Sequence, residues 1–362
     1  MNIVNQNVDT YKAQVLRFLS TNERFKQRYP DMPIETAWHS EGIRSEFLVE
    51  FNAWRASSGT CVAKHVNEDK VNSNIVISDS NKSLPMLPAW PESVRGVPNG
   101  VLRSALFGVI AKGPHPYMER VVIHSLDGVK IIYTGRRLDQ CDLDIWETVL
   151  HIVRLKALGG EIRITAYQFL MLLGVSDTGE NRSILNRRLS RLKATGIDIQ
   201  IGHYGYEGSL IDEVYRDTET LQYVLRVNQK LHALFDIDQW TALDLSIRIE
   251  LKSQPLAQWL YSFYATHAKP YPISVEKLRD LCGSETKELR KFKQLLKRAF
   301  EFVTDACKKH GKVFKAEINE GLAYVNRQPS KSQQKHLDKK KEENKVSKRK
   351  NVATKVSNLV NL

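Results

Sequence analysis

Two stretches of this 362-residue chain place guanidinium, amide and hydroxyl groups at the spacing of one helix face. Between Glu180 and Thr195, at about 100° per residue, Leu185, Leu189 and Leu192 share one side. Ser183, Asn186, Arg187, Ser190 and Arg191 share the other, with Arg182 near the start. Between Glu285 and His310, an apolar stripe of Leu289, Phe292, Leu296, Ala299 and Val303 lies opposite Lys287, Arg290, Gln294, Lys297 and Arg298. Arg can bridge two acceptors of guanine, and Asn or Gln can do the same for adenine. Lys and Arg also neutralise phosphates, which fixes position without reading sequence. The chemistry expected here is recognition of duplex DNA. Arg187, Asn186, Arg290 and Gln294 are the base readers, and Lys297, Arg298 and Arg182 the phosphate contacts. The bland alternative is a pair of solvated charged faces.

Catalytic spacings are sparse. Gly108 to Gly113 has the glycine interval of a phosphate loop, but Pro114 and His115 stand where Lys and Ser or Thr are needed. No G-x-S-x-G nucleophile elbow occurs. Cys307 and His310 are spaced C-x-x-H without a second ligand pair, so core or surface roles are expected rather than zinc. His151 and Arg154 form H-x-x-R, a pair that tyrosine recombinases use, but they sit among Val149, Ile152, Val153 and Leu155 in a helical pattern and read as packing. No enzymatic activity, metal or cofactor is expected.

These faces need elements to hold them. Thr165 can cap a helix from Ala166 to Gly174, the turn Val175–Gly179 follows, and the Glu180–Thr195 helix comes next. A helix from Asp142 to Leu158, a short strand Ile162–Thr165 and two or three strands between Ile197 and Asn228 surround that pair. Helix, short strand, helix, turn, helix, hairpin is the order of a winged helix. It returns after residue 241, with helices at Pro255–His267, Ser274–Gly283 and Glu285–His310 and a hairpin over 312–327. Wing contacts are expected from Lys312, Lys315 and Arg327, and from His203 and Tyr206 in the first half. His203, Tyr204 and Tyr206, in a Gly-rich loop, are also candidates for stacking on single-stranded AT-rich DNA, with a plain wing-tip turn as the alternative. Upstream, Val121–Leu126 and Val129–Gly135 around Asp127-Gly128 predict a hairpin, and Val101–Lys112 a helix. The expected fold class is helix-rich α+β with two tandem winged-helix domains at 84–240 and 241–327. An N-terminal region, 1–83, with helical spacing over 8–28 and 40–57 and a polar linker at 58–83, has no assigned role.

Charge follows the same partner. Residues 1–97 carry 11 basic and 11 acidic side chains, residues 98–327 carry 33 and 27, and residues 328–362 carry 10 and 3. More than half of the net +13 thus lies in the last 35 residues, expected to be a disordered basic tail. Such an arm attracts phosphates regardless of sequence, or merely aids solubility. No apolar run reaches the roughly 18–20 residues of a membrane span, and the first residues show no signal-peptide pattern. Cys61, Cys141, Cys282 and Cys307 are far apart and fit a reduced cytoplasmic protein.

The run LPAWPESVRGVPNGVLRSALFGVI, Leu87 to Ile110, resembles the signature of the TrfA family of plasmid replication initiators, and the likeness continues over most of residues 84–327. ISVEKLRDLCGSETKELRKFKQLLKRAFEFV resembles the C-terminal winged helix of iteron-binding initiators more widely. The resemblance implies binding to direct repeats (iterons) in a plasmid origin, local opening of an AT-rich element, and no nucleotide hydrolysis. It also implies a monomer–dimer equilibrium, with the host initiator, replicative helicase and sliding clamp as partners. Gln168-Phe169-Leu170-Met171-Leu172 is the only segment near a clamp motif, and it reads better as a helix-turn-helix element. A repressor or partition protein of similar build is the alternative.

Overall fold

The recurrent order of elements comes from recurrent local chemistry. In each half a hydroxyl residue ending a short strand caps the next helix. Thr165 accepts from the backbone N–H of Gln168, and Ser274 from that of Lys277. Each capped helix ends in a left-handed glycine, Gly174 or Gly283, a conformation that L side chains rarely adopt. The chain then turns into a long helix.

The computed structural model describes residues 16–37, positions 43, 46, 47 and 50, and residues 85–342 except 111, 112, 114, 127, 202, 203, 218, 221, 237 and 238. The chain divides at residue 78 into two compact units. In the N-terminal unit the expected long helix breaks at Asn22, whose side chain accepts from Phe25 N–H and starts the helix Glu23–Arg28. Phe18, Leu19, Phe25, Ala37, Ile43 and Phe47 form its small core. The linker expected at 58–83 lies outside the described residues.

The second unit runs through β1 (Val94–Pro98), a one-turn α1 (Asn99–Leu102), β2 (Phe107–Gly108), β3 (Tyr117–Ile123), β4 (Val129–Arg136), β5 (Leu138–Asp139) and α2 (Gln140–Val153). Then come β6 (Ile162–Thr165), α3 (Ala166–Leu172), α4 (Gly179–Lys193), β7 (Gly196–Ile201), β8 (Tyr204–Gly208), β9 (Glu213–Asp217) and β10 (Gln222–Arg226). After a 3-10 turn at Gln229–Phe235 follow β11 (Trp240–Asp244), α5 (Leu245–Glu250), α6 (Pro255–Ala265), β12 (Ile273–Ser274), α7 (Val275–Leu281), α8 (Leu289–Lys309), β13 (Phe314–Asn319) and β14 (Leu322–Arg327). Residues 331–342 form a last helix, α9.

Two three-stranded sheets have the same topology. β6 pairs with β10 and β10 with β9; β12 pairs with β14 and β14 with β13. Each sheet joins the strand before the helix-turn-helix to the hairpin after it, which defines two winged helices, α2-β6-α3-α4-β9-β10 and α6-β12-α7-α8-β13-β14.

Four expectations change. Val101–Lys112 is helical only as far as Leu102. Val101, Leu102, Ala105, Leu106 and Phe107 are all buried, so the segment has no solvent face for a helix to keep, and Ala105 N–H bonds His124 O instead. β7 and β8 do not build the first wing; they extend the β3–β4 hairpin into the sheet β3-β4-β7-β8, and β9–β10 is the wing. The last long helix starts at Leu289, leaving Ser284–Glu288 as the turn. Finally, residues 331–342 of the basic tail are helical rather than disordered. Ser330 and Gln333 cap that helix reciprocally, and Gln333 Nε2 donates to Ala265 O at 2.8 Å. Residues 343–362 lie outside the described residues.

The two winged helices share one apolar core. β1 pairs antiparallel with β11 from Val94↔Asp244 to Pro98↔Trp240, so the expected boundary at 240/241 falls inside a strand. Arg248 of α5, 1% exposed, reaches α2, bonding Asp144, lying 3.6 Å from Glu147 and donating to Gln140 Oε1 at 3.1 Å and to Ser262 Oγ of α6 at 2.9 Å. Arg103 donates to Thr266 Oγ1 and O, both at 2.8 Å, and Trp259 Nε1 to Ser104 O at 3.1 Å.

Candidate nucleic-acid interface

Helix α4 is held from both flanks. Leu185, Leu189 and Leu192 are buried, as their spacing predicts. On one flank Arg188 Nη1 lies 2.7 Å from Asp139 and 2.8 Å from Asp142, and Arg191 Nη1 lies 2.8 Å from the other oxygen of Asp142. Both carboxylates belong to the cap that starts α2. Arg191, expected on the free face, therefore turns inward. Asp142 is fully buried, and a buried carboxylate must be paired. On the other flank, Asn186 is half-buried, and its Oδ1 accepts from the Tyr223 hydroxyl on β10.

What remains outward is Ser183, Arg187 and Ser190, all exposed. Arg187 has no ion-pair partner among the described residues. Arg182 is exposed but gripped by Asp177 in the preceding turn through two 2.6 Å bonds. That pairing holds the Asp177 carboxyl below its usual range.

Helix α8 keeps its cations in solvent. Lys287, Arg290, Gln294, Lys297 and Arg298 are all exposed, and Arg298 lies 5.6 Å from the Phe302 ring centroid. Leu289, expected in the core stripe, is 43% exposed because it opens the helix above the packed layer. Of the expected wing residues, Lys315 is exposed without a partner among the described residues, and Lys312 is exposed but sits 2.6 Å from Asp244. Arg327 does not face out: it donates to His267 O at 2.8 Å and Gln333 Oε1 at 2.9 Å, tying α9 to the end of α6. Tyr206 is also internal, 1% exposed, with its hydroxyl donating to Ser209 O. His203 and the Tyr204 side chain lie outside the described residues.

The structure adds two groups. Arg216 and Tyr215 are exposed on β9, which packs beside α4. Arg216 is the cross-strand partner of Tyr223, and its guanidinium lies 5.7 Å from that ring's centroid. Alternation of β-rich residues could have flagged the strand, but not that this hairpin, rather than β7–β8, is the wing.

Most of the signature run packs inward, with Ala89 and Pro91 to Ser93 at the surface. Trp90 Nε1 donates to His151 Nδ1 at 3.1 Å, so the imidazole proton sits on Nε2, 2.7 Å from Glu92. Arg154 completes the grip on Glu92 and donates from Nε to Trp90 O at 3.0 Å. A Cβ at Gly96 would stand 2.7 Å from the Trp90 ring, which requires glycine there. His151 and Arg154 thus anchor the chain entering β1, as their packing reading expected. Burial lowers the His151 pKa, consistent with the neutral ring.

Phe169 and Leu170 are buried in α3 and Gln168 belongs to its cap, so this segment is not presented as a clamp-binding peptide. His115, Asp139 and Asp142 lie close enough to hold a cation, but Arg188 and Arg191 already neutralise the two carboxylates. Cys141, Cys282 and Cys307 are free thiols, and burial pushes Cys307 up to about 11. No helix among the described residues is long and apolar enough to cross a membrane.

A plasmid replication initiator protein TrfA of Escherichia coli is 27% identical over 286 residues, spanning 75% of this chain and 73% of its own. Domains 2 and 3 of RctB align over 64% of this chain and 96% of theirs, with 13% identity and a TM-score of 0.42. A Pi initiator protein in complex with iteron DNA aligns over 52% of this chain and 91% of its own, with 14% identity and a TM-score of 0.39. The sequence profile of the TrfA protein family matches residues 55–327, three quarters of the chain and all of both winged helices, and the chain belongs to that family.

Proposed function

We propose that this chain initiates plasmid replication by binding repeated origin DNA through both winged helices. The observation that carries the reading is two outward basic helix faces, on α4 and α8, in one unit with a shared core. The E. coli relative is named a plasmid replication initiator. Arg187, Asn186, Arg290 and Gln294 read bases. Lys287, Lys297, Arg298 and Lys315, with Ser183 and Ser190, contact phosphates and sugars. Arg182 and Lys312 join them once DNA competes for their carboxylate partners. A single rigid unit with two reading helices fits a site that offers major groove on successive turns.

The chain is not an enzyme in this reading. Origin opening then draws on binding alone, since deforming duplex DNA costs about 1–10 kcal/mol per site and several copies on repeats share that cost. On supercoiled DNA carrying the region beside its gene, the protein should protect equally spaced direct repeats. It should also render thymines of an adjacent AT-rich element permanganate-reactive without ATP. Full occupancy of the repeats with no reactive thymine, host factors present or absent, would instead mark a repressor.

A further inference from the structure

Tyr223 is buried on β10, yet its hydroxyl ends at a side chain of the reading helix. A buried hydroxyl needs a partner, and Asn186 supplies one. The consequence falls on Asn186. Its amide has one acceptor oxygen and one N–H2 group. With Oδ1 turned to the wing and bonded there, the edge left for the groove is the N–H2. A two-bond grip on adenine needs the oxygen and the nitrogen of one amide on the same base edge. The bond to Tyr223 takes one of the two lone pairs of that oxygen and turns the carbonyl toward the wing, which disfavours the two-bond grip for Asn186.

We infer that Tyr223 is a specificity-determining positioning residue, which holds Asn186 as a hydrogen-bond donor toward the major groove and directs it to single base acceptors rather than to the two-bond grip on adenine. Guanine O6 and N7, adenine N7 and thymine O4 each satisfy such a donor through one bond, so adenine gains no premium over guanine; the cytosine amino group opposes it. Arg216 secures the arrangement from the neighbouring strand. As the cross-strand partner of Tyr223, it lies against the ring and keeps the wing registered on α4. Arg182 stands on the same flank, one turn before Asn186, but Asp177 holds it, so it does not compete for the amide oxygen. The inference rests on the reading of α4 as a DNA-recognition helix.

The test uses the full chain and one protected repeat, with all four base pairs placed in turn at every position. Asn186→Ala identifies the position that Asn186 reads. In the wild type that position should favour an acceptor and discriminate against cytosine, without a premium for adenine. Tyr223→Phe keeps the ring and frees the amide oxygen. It should shift that one position toward adenine by about tenfold, and leave the profile elsewhere unchanged. Three results overturn the inference: a Tyr223→Phe profile identical to wild type, a loss of affinity equal at all positions, or an adenine preference already present in the wild type at the Asn186 position. Binding by the wild type that is indifferent to sequence everywhere, with no position assigned by Asn186→Ala, would sink the DNA-reading role of α4 and the inference with it.

Discussion

Arg187 and Arg191 sit one turn apart on α4, and of the two only Arg187 faces solvent without an ion-pair partner among the described residues. Their substitutions should separate cleanly. Arg187→Ala, like Arg290→Ala on α8, should weaken specific binding by about 1–3 kcal/mol and leave the melting temperature in place. Arg191→Ala should instead lower stability by about 2 kcal/mol, because Asp142 would keep Arg188 but lose half of its neutralisation. Thermal melts beside gel-shift titrations check both; equal binding losses in folded Arg187 and Arg191 variants would contradict the assignment. The sequence could place Arg187 because helical spacing alone decides which side of the leucine stripe it occupies. It could not place Arg191, whose carboxylate partner lies 49 residues earlier. Arg327 escapes a sequence reading for the same reason: its partners, His267 O and Gln333, are tertiary.

Among the elements, the legible ones carry their own start and stop signals. Thr165, Ser274, Gly174 and Gly283 bracket their helices, and Asp127-Gly128 marks a hairpin that the structure contains. The two-residue strands β2 and β5 carry no such signal, since partners far along the chain create them. The basic tail shows the opposite failure. Its composition suggests disorder, but one cap and one anchor to Ala265 suffice for α9. Lys331, Lys335, Lys339, Lys340 and Lys341 are all exposed. Deleting residues 331–362 should lower affinity for all DNA alike, and should flatten the log–log salt dependence by about 0.9 for each phosphate that is no longer neutralised. Binding measured between low and moderate salt checks this; an unchanged slope would leave α9 a structural brace.

Across the whole molecule, groups buried where the halves meet set the response to acid. Burial lowers the His267 ring to about 4, with the nearby Arg103 and Arg327 cations adding to the effect. The unfolded chain takes up that proton near pH 6.5, and the folded chain only near 4. His267 therefore costs no stability above about pH 6.5 and progressively more as pH falls toward 4, up to about 3 kcal/mol. The difference in unfolding free energy between wild type and His267→Phe, followed from about pH 7.5 to 4.5, should change by that order; a constant difference would show that the ring takes up its proton at the same pH folded and unfolded.

Arg248 gives the same junction a longer reach. Its partners Asp144, Glu147 and Gln140 lie in the first winged helix, and Ser262 in the second. A buried guanidinium deprived of its carboxylates strongly destabilises a fold, so neither half is a freely exchangeable cassette. A chimaera that splices one initiator's first winged helix to another's second should lose stability where its parents differ at these internal positions. New combinations of repeat-reading specificity within the family are therefore filtered by a handful of residues that never meet DNA.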